Sequence, residues 1–238
     1  MKCYFLNYAD GKEHVAKQRK VVARAKFLNC FDGILACGPQ DISEHFYRKN
    51  RKILQQSIGA GFWLWKPYII LQALKKVPNN SVIFYCDVDH ILTGDLDHYC
   101  NLAQAEDIVL FHEEPARTAA ECTASGSFLY MNCANTKYFS RKMVLGGYNF
   151  WRSNVKAISF VREWLYWCCQ EKVLAPTFVD INNIGDTLSV ARDPDQTQYG
   201  SNDFLHCFDQ SVLTILAEKF SIKSHKTPVF AHKLKLTE

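Results

Sequence analysis

Ser81-Val82-Ile83-Phe84-Tyr85-Cys86-Asp87-Val88-Asp89 is a short apolar run that ends in two carboxylates two residues apart. β-Branched and aromatic residues dominate it, and Pro78-Asn79-Asn80-Ser81 supplies a turn in front, so it reads as a buried strand. Acidic residues at the end of such a strand sit in the crevice outside the carboxyl edge of an open α/β sheet, where ligands bind. Two carboxylates this close repel unless a cation lies between them. Hard oxygen ligands suit Mg²⁺ or Mn²⁺, and these ions usually bridge to phosphate. The first expectation is a divalent metal at Asp87 and Asp89 that holds a phosphorylated ligand.

Outward from this strand the pattern alternates. A strand is predicted over residues 2–8, a basic helix over Gly11–Leu28, a short strand over Gly33–Ala36 and a helix over Asp41–Gln56. A helix over Lys66–Val77 leads into the acidic strand. Strands are then expected at Ile108–Phe111 and Ser127–Asn132, with helices at 136–144, 155–170 and 209–220. This alternation predicts a mainly parallel, mixed α/β sheet flanked by helices. It forms one Rossmann-like domain over residues 1–238, with a ligand-binding half (1–110) and a second half (111–238). The cations of the first helix read most simply as a solvated face. The polar stretch 176–206 is long for a loop in a compact domain, and loops of that length are usually functional.

With 48% hydrophobic and 22% charged residues the chain can bury a core. Its net charge of +4 draws anions weakly and does not point to nucleic acid. No apolar stretch approaches the ~18 residues of a membrane span, and the start of the chain lacks a signal-peptide pattern, so a cytoplasmic protein without a transmembrane segment is expected. Ten cysteines without a Cys-x-x-Cys pair, most in apolar runs, are expected as free thiols rather than a zinc site.

Four further segments carry candidate chemistry. In Gly59-Ala60-Gly61-Phe62-Trp63-Leu64-Trp65-Lys66-Pro67 the tryptophans read as core anchors. Lys66 stands at a helix start against the dipole, which asks for another reason, such as a phosphate. Asp209, in Phe208-Asp209-Gln210-Ser211, reads as a helix N-cap that can also accept a proton, with its basicity depressed by the cap. Ser125-Gly126-Ser127 offers small residues where a ligand can approach. His225 and His232 are each candidates for a third metal ligand.

Together, Asp87-Val88-Asp89, Gly61 through Pro67, Ser125-Gly126-Ser127 and Phe208 through Ser211 resemble GT-A-fold nucleotide-sugar-dependent glycosyltransferases, in the family's order and across most of the chain. The resemblance implies transfer of a sugar, a hexose in the first instance, from a nucleotide-diphosphate donor, UDP-sugar favoured, to a glycan hydroxyl in polysaccharide biosynthesis. Asp87 and Asp89 would hold Mn²⁺ or Mg²⁺, with His225 as third ligand. Asn7, Tyr8, Lys66, Asp87, Ser125 and Gly126 would face the donor. Asp209 would be the base of an inverting transfer, Tyr148 and Trp151 would either stack on an acceptor sugar or pack in the core, and 176–206 would close over both substrates. The strand exit also resembles that of haloacid-dehalogenase phosphatases, with Asp87 as nucleophile and Asp89 as acid/base. In those enzymes the pair comes near the start of the fold, whereas here some eighty residues precede it.

Overall fold

A computed structural model describes residues 2–92, 96–176, 206–227 and 231–233. The strands are β1 (Cys3–Tyr8), β2 (Gly33–Cys37), β3 (Val82–Cys86), β4 (His90–Leu92), β5 (Ile108–His112), β6 (Tyr148–Arg152), β7 (Ser224–Lys226) and β8 (Ala231–Lys233). The helical segments begin with α1 (Gly11–Leu28), α2 (Glu44–Lys49), α3 (Arg51–Leu54), α4 (Gly59–Phe62), α5 (Trp65–Lys76) and α6 (Asp97–Glu106). They continue with α7 (Ala119–Cys122), α8 (Ser125–Tyr130), α9 (Thr136–Phe139), α10 (Val155–Cys168), α11 (Glu171–Leu174) and α12 (Phe208–Lys219). The long segment 176–206 lies outside the described residues except at its two ends.

Six strands form one sheet in the order β2-β1-β3-β6-β5-β7, and β4 pairs with β8 apart from it. Every neighbouring pair in the large sheet is parallel except those made by β6, which runs antiparallel to both β3 and β5. The expected mixed, mainly parallel α/β sheet is therefore what the chain forms. The 110/111 division falls inside β5, and β6 inserts between strands of the first half, so a single sheet spans both halves.

All five β3 side chains are buried, as the unbroken apolar run requires of a strand covered on both faces. On one face Ile83 and Tyr85 join a core with α5, α10 and α12; on the other, Val82, Phe84 and Cys86 join Phe5, Phe111 and Phe150. Phe84 and Phe150 stack at 4.4 Å on adjacent strands. Burial of such rings dominates core energetics.

Several expected elements differ. The 41–56 helix is broken into a 3-10 turn at Pro39–Asp41 followed by α2 and α3, with Ser43 capping α2 through Phe46 N. The 127–132 strand is instead the end of α8, because Cys133 N returns to Phe128 O at 2.7 Å and closes a turn there. The 136–144 helix stops at Phe139. Of the two roles open to Tyr148 and Trp151, the structure shows core packing: they lie in β6 at 3% and 0% exposure. All ten cysteines are free.

Phe84→Ala should cost about 3–5 kcal/mol of unfolding free energy in urea titrations, since its ring has neighbours on all sides and the void cannot collapse. A loss below ~1 kcal/mol would mean that this face is not close-packed.

Candidate active site

The carboxyl end of β3 delivers Asp87 and Asp89 to the mouth of a cleft of about 530 Å³, lined also by Tyr8, Asp10, His14 and Trp63. Asp89 is the more open of the pair, its side chain 44% exposed and its Oδ1 2.8 Å from His90 Nδ1. Asp87 is held from behind. Tyr85 donates its hydroxyl to Asp87 Oδ1, and Lys66 Nζ lies 3.4 Å from the carboxylate. Its backbone N–H donates to Gly147 O at 2.7 Å, which fixes the strand exit against the entry of β6.

Lys66 lies at the start of α5 and is 3% exposed. Its Nζ donates to Gly146 O at 3.1 Å and lies 3.7 Å from Asp209 Oδ2. The ammonium also stands 5.5 Å from the centre of the Tyr85 ring and 5.7 Å from that of Trp65. Burial alone would lower the Lys66 ammonium, but Asp209 and Asp87 more than reverse this and raise it, so the cation persists. The reason the sequence asked for, a counter-charge at an unfavourable helix position, is supplied by two carboxylates.

Asp209 lies one residue inside α12, whose N-cap is Cys207, so it is not the expected cap. Its side chain is buried and Oδ2 lacks a hydrogen-bond partner among the described residues. Burial pushes the carboxyl up from 3.8 to about 7, with Lys66 opposing the rise and Asp87 adding to it. The basicity is thus raised, contrary to the depression a cap would give. A carboxyl poised near neutrality suits proton transfer.

Tyr8 stacks on Trp65 at 4.0 Å and 16°, and both rings form one wall of the cleft. Burial raises the Tyr8 phenol, so it stays protonated. Asn7 is buried beside it; Oδ1 accepts from Gln18 at 3.0 Å, and Nδ2 has no partner among the described residues. Next to Trp65, residues 59–63 all have positive φ, from +50° at Ala60 to +99° at Gly61, and Gly59, Ala60 and Trp63 line the cleft. This is a left-handed turn, costing roughly 1–2 kcal/mol at each non-glycine residue. A Cβ on Gly61 would stand 2.7 Å from Leu54 Cα, so only glycine fits. Trp65 Nε1 donates to Gly59 O at 2.9 Å, and Phe62 stacks on Phe208 at 4.9 Å, which holds the turn against the start of α12.

Ser125 and Gly126 begin α8. Their segment is tied to the same region through Cys122 O, which accepts from Ser211 Oγ at 2.8 Å and Cys207 N at 3.2 Å. His206 adds a second tie: Nδ1 accepts from Ala124 N at 3.2 Å while Nε2 donates to Leu174 O at 2.8 Å.

His225, expected as third metal ligand, is not brought to the pair. It lies on β7 with Nε2 2.9 Å from Glu106 Oε2 at the end of α6, where a local carboxylate orients the ring. The register of β8 sets the His232 backbone opposite Ile91 on β4, the strand that directly follows Asp89. Among the described residues no group of three or more His, Cys, Asp and Glu side chains could hold a metal. Two carboxylates facing a cleft still fit Mg²⁺-like ions, which keep waters and take substrate phosphates. The nucleophile role of Asp87 finds no support, since a phenol and an ammonium already take its carboxylate.

Sequence reading missed Gly146 and Gly147. A Cβ on Gly147 would stand 3.0 Å from His90 Cε1 and 3.4 Å from Asp87 Oδ2, and one on Gly146 3.6 Å from Asp209 Oδ2. The signal is a glycine pair entering an aromatic run, Tyr148–Arg152, for which the sequence reading assigns no strand.

No family model and no curated protein matches the sequence. Coarse likenesses occur among solved structures. A glycosyltransferase involved in glycosylation of the major capsid of PBCV-1 is 15% identical, with 75% of this chain and 70% of that one covered and a TM-score of 0.40. Mouse xyloside xylosyltransferase 1 is 8% identical, with 95% and 84% covered and a TM-score of 0.42. The galactosyltransferase LgtC, solved with donor and acceptor sugar analogs, is 11% identical, with 94% and 72% covered and a TM-score of 0.43. Likenesses at this level assign no activity to the chain.

Because Asp209 binds its proton more tightly folded than unfolded, stability falls as pH rises from about 4 to about 7. The full effect is on the order of 4 kcal/mol. Chemical denaturation of the metal-free protein across that window should show the decline, and Asp209→Asn should flatten it. An unchanged slope in the variant would show that the carboxyl titrates normally.

Proposed function

We propose that the chain is a metal-dependent glycosyltransferase that moves a sugar from a nucleotide-diphosphate donor, UDP-sugar favoured, to a hydroxyl of a glycan acceptor. The observation that carries the reading is the grouping of Asp87 and Asp89 at a strand end, facing a cleft with an aromatic wall, with Lys66 and Asp209 buried directly behind. Each part has a task in that reaction. The Tyr8–Trp65 stack offers a wall for a base and ribose, and the Asn7 amide an unused donor beside it. Asp87 and Asp89 would hold Mn²⁺ or Mg²⁺, which when bound neutralises the departing diphosphate. His225 is engaged by Glu106, which leaves Asp87 and Asp89 as the protein ligands of the proposed ion.

Lys66 and the Tyr85 hydroxyl fix Asp87 in orientation, so the carboxylate meets an ion without first reorganising. Asp209, with a carboxyl near neutrality and an Oδ2 that accepts no hydrogen bond among the described residues, would take the proton of the acceptor hydroxyl if transfer inverts the sugar. Ser125 and Gly126, tied to the start of α12, would line the sugar side.

Thermal-shift titration with UDP- and GDP-sugars, with and without Mn²⁺, tests the donor. A UDP-sugar with Mn²⁺ should raise the melting temperature by several degrees, and neither component alone should match it. Asp89→Ala should keep its fold and lose that rise. Failure of every nucleotide sugar to stabilise the protein, or an intact rise in the variant, would remove the proposal.

A further inference from the structure

We infer that the outward face of α1 docks on an anionic lipid bilayer, with Phe27 entering the headgroup region. The helix carries six Lys and Arg residues and one Glu. The whole chain has 28 and 24 basic and acidic residues, so without α1 it would have 22 and 23. All of the net positive charge therefore lies on one element. That element also shows it in one direction: Val21 and Ala25 are buried against the sheet, and Lys12, Arg19, Lys20 and Lys26 are exposed at spacings that recur on a single helical face. Ala16 and Ala23 lie exposed among them, so no bulky neutral side chain holds the cations off a flat surface. The one acid, Glu13, sits on the flank and is paired with Lys17 at 2.7 Å.

Phe27 decides the kind of polyanion. It is 77% exposed at the C-terminal end of the same face, a position with no role in the core. Arg24 stands over its ring at 5.3 Å and donates to Leu92 O at 3.0 Å, so the ring is held outward. A basic face attracts an anionic bilayer surface, and a single projecting ring adds apolar contact at the headgroup level. A nucleic-acid strand would call for several rings to stack successive bases, and no other large hydrophobic side chain of α1 is exposed. The helix is already folded and packed, so docking requires no ordering step. Its first turns, at Gly11 and His14, border the candidate cleft, which would open along the docked surface.

Co-sedimentation of the full chain with phosphatidylcholine vesicles, with and without phosphatidylglycerol, tests this and does not involve the donor site. Binding should need phosphatidylglycerol and weaken steeply with salt. Each cation near such a surface is worth about a fivefold change in partitioning, so combining Arg19→Ser, Lys20→Ser and Lys26→Ser should lower binding on the order of a hundredfold. Phe27→Ser should lower it several-fold at unchanged charge. These side chains are exposed, and an unchanged melting temperature would confirm that the variants fold. The inference is overturned if phosphatidylglycerol vesicles are not bound, if the triple variant binds as well, if Phe27→Ser changes nothing, or if duplex or single-stranded RNA binds where vesicles do not.

Discussion

The buried ammonium of Lys66, set between Asp87 and Asp209, is the constraint on which the rest of the site depends. Taking an ammonium out of water costs several kcal/mol unless its geometry returns the loss. Here the return comes from two carboxylates, a backbone carbonyl and two aromatic faces. The partners belong to β3, α12 and the entry to β6, so one cation ties together segments far apart in the chain. Removing it would leave Asp87 and the buried Asp209 without their shared counter-charge.

The same cluster divides the labour between the acids. Asp87 receives a phenol, a cation and a place at the mouth of the cleft. Asp209 lies deeper and farther from the ammonium, and burial dominates its proton affinity. Asp89 faces outward. Three carboxylates that look alike in sequence thus sit at different depths, and burial raises the proton affinity of the deepest, Asp209.

The central strand and its acidic end were legible because both signals are local: an unbroken apolar run, a turn before it and two acids after it. Lys66 was legible as an anomaly, a cation at the wrong end of a helix, though the carboxylates that resolve the anomaly come from distant segments. What failed depends on tertiary context. Ser127–Asn132 has strand-forming side chains, yet the Cys133 N–Phe128 O bond closes it as a helix end. Tyr148–Arg152 has the composition of a strand, and nothing local tells a fully covered strand from a row of ligand-facing aromatics. Asp209 at a helix start satisfies the cap pattern, and only packing reveals that Cys207 takes that position. A lone histidine has no local signature, so His225 could be placed only once Glu106 was seen beside it.

The reversed direction of β6 has a consequence for synthesis of the chain. A ribosome releases β3 and its two acids long before Gly146, Gly147 and α12 exist, and until those arrive the pair has neither floor nor counter-base. The nascent N-terminal portion therefore emerges with its central strand unflanked on one side until β6 enters the middle of the sheet. Closure of the sheet and support of the acidic strand end by Gly147 come from the same late insertion.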